Sequence, residues 1–112
     1  MARACLEAAR QDLESLCRRF GVSRLWVFGS ALSERWEPAS SDLDFLVEFG
    51  PPPKGVDLPP PKGVDLFAQQ FVLQVELERL LGRRVDLVDR TAIRRPLFRE
   101  KVEREKQEVY AA

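Results

Sequence analysis

The stretch from Arg24 to Phe49, RLWVFGSALSERWEPASSDLDFLVEF, holds two apolar runs separated by a polar connection. The first run, Leu25-Trp26-Val27-Phe28, stops at Gly29-Ser30. The second, Phe45-Leu46-Val47, is introduced by Asp42 and Asp44 with one leucine between them. Two short strands joined by a loop fit this pattern. Side chains two apart on a strand point to one face, so Asp42 and Asp44 project together and Leu43 turns away. Two carboxylates that close repel each other unless a cation lies between them. Mg²⁺ suits such a pair, since it takes oxygen ligands, keeps some of its waters and commonly adds substrate phosphates to one or two carboxylates. Gly29-Ser30 supplies the features of a phosphate site: a glycine admits close backbone approach, and serine adds a hydroxyl and an amide donor. Asp-x-Asp and Gly-Ser are each common, and singly most are solvated strand ends or turns. The ordered combination of strand, Gly-Ser, loop, Ser-Asp-x-Asp and strand is far more specific.

Outward from this stretch, the chain has 112 residues, which predicts one domain over 1–112. Eighteen basic and eighteen acidic residues cancel, which argues against a nucleic-acid-backbone binder. No apolar run is long enough to span a bilayer and no signal peptide is evident, so no membrane association and a cytoplasmic location are expected. His is absent, which removes His-based metal sites and a His general base. Cys5 and Cys17 fall in one helical pattern, where twelve residues of helix separate them by about 18 Å. That is too far for a disulfide.

Residues 2–20 read as one amphipathic helix, with Leu6, Leu13, Leu16, Cys17 and Phe20 at helical spacing and Gly21 as its stop. Arg10, Glu14 and Arg18 lie at i,i+4 intervals on the opposite face. After the second strand, PPPKGVDL occurs twice in tandem, Pro51–Leu58 and Pro59–Leu66. Two copies of so short a unit are not a solenoid, and three consecutive prolines favour polyproline II. The expectation is a flexible insertion over 51–63, with Asp65 capping the next helix. That helix spans Leu66 to Leu81, with Phe67, Phe71, Leu73, Leu77 and Leu80 as burial candidates and Gly82 as its end. Val85 to Asp89 reads as a third strand in which Asp86 interrupts an apolar alternation. A buried carboxylate there calls either for a metal shared with Asp42 and Asp44 or for pairing with Arg83 or Arg84. Pro96 opens a last helix that Leu97, Phe98 and Val102 anchor, leaving Arg99, Glu100, Glu103 and Arg104 exposed. Val109-Tyr110 ends the chain as a short strand or a partner contact. Trp36 reads equally as a core cap or an exposed contact.

Together, Gly29, Ser30, Asp42, Asp44 and Asp86 resemble the pattern of the nucleotidyltransferase superfamily that includes DNA polymerase β, and the length resembles its minimal nucleotidyltransferase branch. The likeness runs roughly from Val22 to Val88. Ser33 and Glu34 depart from the Arg and Gly common at their positions, and Arg35 is either a replacement contact for a triphosphate or plain surface. The resemblance implies an α/β (α+β) fold, a small mixed sheet with helices packed on one side. It implies transfer of AMP from ATP, with two Mg²⁺ ions held by Asp42, Asp44 and Asp86 and the nucleotide held by Gly29 and Ser30, joined by Arg35 if that residue replaces the missing Arg. It further implies a HEPN ribonuclease toxin as partner in a hetero-oligomeric toxin–antitoxin pair, with a tyrosine of that partner as acceptor. The competing readings are a non-catalytic module that neutralises a HEPN partner by contact, and an antibiotic nucleotidyltransferase.

Overall fold

The run Leu25–Phe28 forms the second half of β1 (Val22–Phe28), and all four of its side chains are buried. They are buried in two directions. Leu25 and Val27 join one apolar cluster with Leu13, Leu16, Phe45, Leu73 and Leu77. Trp26 and Phe28 join a second with Leu46 and Val102. A strand covered on both faces needs no polar alternation, which explains the continuous apolar run. The structure is a computed structural model that describes residues 3–33, 36, 42–50 and 66–112. The duplicated octapeptide, the expected insertion over 51–63 and the expected cap Asp65 lie outside the described residues.

β2 (Leu43–Phe49) pairs antiparallel with β1. α3 (Leu66–Leu81) then crosses over to β3 (Val85–Asp89), which lies parallel to β2, as a parallel pair requires a crossover. β4 (Gln107–Ala111) returns antiparallel on the far side of β1. The four-stranded mixed sheet has the order β3-β2-β1-β4, and α3 and β3 form over the residues expected from sequence.

α2 (Arg10–Arg19) and α3 cover the sheet face carrying Leu43, Phe45, Val47, Val85 and Leu87. Helices are expected on one side alone, and the structure departs from that. α4 (Pro96–Glu105) adds cover to the other face through Val102, which is fully buried against Trp26, Phe28 and Leu46. The N-terminal helical pattern forms as two helices, α1 (Arg3–Ala8) and α2, separated at Ala9. No glycine or proline marks that break, so the sequence reads through it. Gly21 ends α2 in the left-handed region, as expected, and Glu14 bridges Arg10 and Arg18 at 3.4 and 3.6 Å. Both cysteines are free.

Two burial expectations fail for geometric reasons. Phe71 is 66% exposed, because it precedes the buried Leu73 by two residues and so stands about 200° away around α3. Leu97 is 81% exposed. Val102 is buried against the sheet instead, and Phe98, one turn before it and still 38% exposed, meets the Phe28 ring edge-on at 6.2 Å. The side chain of Phe67 lies outside the described residues.

Candidate active site

Strand alternation decides which way the acidic residues point. Leu43, Phe45 and Val47 enter the α2–α3 core, so Asp44 and Leu46 must face the other side. On β3, Val85 and Leu87 enter the same core, which turns Asp86 to the face of Asp44. The parallel register sets Asp44 directly opposite Asp86, where neighbouring strands lie about 4.8 Å apart. Asp42 precedes the strand, is exposed and adds its charge to the same spot. The three acidic residues singled out in the sequence are therefore brought together at the β2–β3 edge.

The electrostatics follow from this crowding. Burial pushes the Asp44 carboxyl above the ordinary carboxylate range. The Asp86 charge, a hydrogen bond with Asp86 and the Asp42 charge push it the same way. Asp86 itself is exposed rather than buried. Its need for a counter-charge arises from repulsion with Asp44, and not from the desolvation its strand position suggested.

Phe28 lies opposite Asp44 on β1, and the chain then turns sharply at Gly29 into a single 3-10 turn, Gly29–Leu32. Gly29 has φ +71°, and a Cβ placed there would stand 2.8 Å from Asp44 Oδ2. The turn thus closes directly over the carboxylate, and only glycine leaves room. Ser30 lies in that turn; its hydroxyl and all of Arg35 are outside the described residues.

Whether these residues suit a divalent ion can be tested on the site itself. Among the described residues no three carboxylate, thiol or imidazole groups are arranged to hold a metal ion unaided. The paired Asp44 and Asp86 still gather negative charge that a proton or a cation must offset. An incomplete oxygen set suits Mg²⁺, which keeps waters and draws further ligands from phosphates. The donor chemistry therefore fits.

Two supports were not legible in the sequence. Trp36 is buried, settling the alternative left open for it, and its indole N–H donates to the Asp42 carbonyl at 3.2 Å. Farther along the same sheet face, Arg90 donates to Glu103 at 2.7 Å and to Glu48 at 2.8 Å. Lys106 also bonds Glu103, and both cations stand over the Trp26 ring at 5.2 and 5.3 Å. Glu103 is consequently half-buried and paired rather than exposed, and Arg90 and Lys106 hold its carboxyl down to about 2. The ties run from β2 and the turn after β3 to α4, which fixes that helix on the sheet face that also carries Asp44.

A groove of about 730 Å³ lies elsewhere, between the N-terminal helices and β4, lined by Leu6, Arg10, Leu13, Val27, Leu32 and Tyr110 among others. One of its carboxylates, Glu14, is bridged by Arg10 and Arg18. Its other acidic residues, Glu7 and Glu108, lie among the arginines Arg10 and Arg18, whereas Asp44 is raised by its Asp86 and Asp42 neighbours, so the acidic edge is the better candidate for chemistry.

The sequence profile described as nucleotidyltransferase domain matches residues 10–109. A protein of Methanocaldococcus jannaschii, provisionally named as protein adenylyltransferase MJ0435, is 35% identical over 85 residues, covering 75% of each chain. A solved structure provisionally described as a minimal nucleotidyltransferase superposes with a TM-score of 0.68 at 36% identity, over 96% of this chain and 95% of that one. A chain in the complex of tri-AMPylated Shewanella oneidensis HEPN toxin with MNT antitoxin superposes with a TM-score of 0.60, over 96% of this chain and 73% of that one. At 17% identity that last likeness speaks for the fold alone.

Proposed function

This chain belongs to the nucleotidyltransferase domain family and is a nucleotidyltransferase, and on that premise we propose that it transfers AMP from ATP to a hydroxyl of a protein acceptor, a tyrosine of a HEPN toxin partner. The observation that carries the reading is the juxtaposition of Asp44 and Asp86, with Asp42 beside them, under the glycine turn. The provisional name of the Methanocaldococcus relative supports a protein acceptor. The Shewanella complex, with its AMPylated HEPN toxin bound to an MNT antitoxin, supports the partner and the transferred group.

In this reading Asp44 and Asp86, with Asp42 beside them, would hold Mg²⁺ together with substrate phosphates, and the ion would supply charge neutralisation to the phosphates and to the attacking oxygen. The chain's own residues do the rest by position. The Gly29–Leu32 turn brings backbone and Ser30 against the outer phosphates, holding pyrophosphate in line to leave. Asp86, exposed at the strand edge, accepts the proton of the acceptor hydroxyl. The oxygen of that hydroxyl bonds to the α-phosphorus as the bond from that phosphorus to the bridging oxygen of pyrophosphate breaks. The proton passes from Asp86 to water. Catalysis here is positioning and electrostatics. ATP and free cysteines both suit the cytoplasm.

The test is intact-mass spectrometry of the HEPN partner after incubation with this protein and Mg·ATP. A gain of whole AMP units, absent with Asp42→Ala/Asp44→Ala, is expected. No gain from a preparation that still protects cells would replace this reading with neutralisation by contact.

A further inference from the structure

Asp42 lies just outside the sheet. The β2–β3 register begins at Leu43, opposite Val85, and the β1–β2 register reaches only to Asp44, opposite Phe28. No ladder bond therefore orients Asp42. One peptide unit does. Between Asp42 and Leu43, the N–H of Leu43 donates to the Arg84 carbonyl at 3.1 Å, and the carbonyl of Asp42 accepts the Trp36 indole N–H at 3.2 Å. Both polar groups of that unit are engaged, on opposite sides, so its plane cannot rotate freely. The plane fixes where the Asp42 Cα and its bond to the carbonyl carbon lie, so the Asp42 Cβ can swing only about that one bond.

Trp36 is well placed to do this. It is 6% exposed and packs in the main core. The Arg83 guanidinium lies over its ring at 4.5 Å, and its backbone N–H donates to the Ser33 carbonyl at 3.2 Å. The indole is thus anchored to the chain just past the Gly29–Leu32 turn and to the segment that begins β3. A buried Trp ordinarily finds a partner for its ring N–H. Here the partner is the main chain of the least constrained member of the acidic group.

We propose that Trp36 is a positioning residue. Through its indole N–H it fixes the Asp42–Leu43 peptide and thereby aims the Asp42 carboxylate at the cation site shared with Asp44 and Asp86. The inference rests on the metal-dependent reading above. It assigns to the loop a specific support that neither composition nor spacing reveals.

The test uses Trp36→Phe, which keeps an aromatic ring under Arg83 and removes the N–H. The readouts are Mn²⁺ affinity of the whole protein by electron paramagnetic resonance, hydrogen exchange at the Leu43 amide, and melting temperature. Mn²⁺ affinity is expected to fall roughly tenfold, the low end of what loss of an outer hydrogen bond costs a metal site. Leu43 exchange should quicken while the melting temperature of the metal-free protein stays within a few degrees of the parent. The isosteric residue 3-benzothienylalanine at position 36 keeps the two-ring shape and loses only the N–H. It should reproduce the Mn²⁺ defect even if phenylalanine packs poorly. Asp42→Ala/Asp44→Ala runs alongside. If that variant loses Mn²⁺ and the benzothienyl protein binds it like the parent, the role of Trp36 is overturned while the site stands. If the parent binds Mn²⁺ no better than the aspartate variant, the metal-dependent reading and the inference fall together.

Discussion

Gly29 meets two demands at one position: a left-handed backbone and clearance for Asp44 Oδ2. Gly29→Ala is expected to cost about 1 kcal/mol or more in stability from the backbone alone. It should reduce transfer on the order of a hundredfold by displacing the carboxylate. Urea titration and initial-rate measurements would separate the two effects. Asp44 carries the opposite kind of tension. Its folded carboxyl titrates above the ordinary range, so the folded state is favoured while that group is protonated. That contribution is complete below the unfolded pKa and is lost as pH rises through the raised one. Without divalent ions, Asp44→Asn is therefore expected to melt higher than the parent at neutral pH, with the gap closing in acid. Adding Mg²⁺ should raise the parent's melting temperature more than the variant's, since a ligand stabilises the state that binds it. Thermal melts across pH, in EDTA and in Mg²⁺, check both. These residues were legible in advance because strand alternation and Asp-x-Asp spacing leave little choice of direction. The bond from Trp36 to Asp42 was not, since a hydrogen bond from a ring to a distant carbonyl depends on how the loop packs and leaves no periodic trace.

At the scale of elements, the sequence reads well where one periodicity dominates and poorly where two compete. β1, β2, β3 and α3 emerge at or near their expected places. Apolar residues recur on every side of α3, interleaved with Gln69, Gln70, Gln74, Glu76, Glu78 and Arg79, so its pattern names a helix without naming the buried face, and Phe71 stands on the exposed side. α4 shows the same difficulty, with Leu97 and Phe98 adjacent and only Phe98 turned toward the sheet. The charged residues of α4 look like a solvated face, yet Glu103 joins Arg90 and Lys106 over Trp26. Its carboxyl is held at about 2, below the ordinary value of 4.5, so its stabilising effect is present above about pH 4.5 and fades as pH falls toward 2. The side chain keeps 30% exposure, and solvent screens the pair. Glu103→Gln is accordingly expected to lower stability at neutral pH by only about 1 kcal/mol. The deficit should vanish in acid, as followed by chemical denaturation at several pH values. Any loss of transfer activity in the same variant would report how far α4 acts as a wall of the acidic site.

For the molecule as a whole, the duplicated octapeptide tests how much of the chain the fold needs. Removing one copy of PPPKGVDL shortens the β2–α3 connection from about sixteen residues to eight. By loop-closure entropy that changes stability by only about 0.6 kcal/mol. The shortened protein is expected to keep its melting temperature within a few degrees and its transfer rate within about twofold. The position of β4 has a consequence of another kind. β1 stays unpaired on one side until β4 is made, because Leu25 pairs with Tyr110 and Arg24 with Ala111. On a ribosome adding 5–20 residues per second, that wait is on the order of 4–17 s. Throughout it, an apolar strand presents an open edge, the usual template for chain-to-chain pairing. Crowding and slow translation of the last third should therefore govern how much of the protein reaches the soluble fraction.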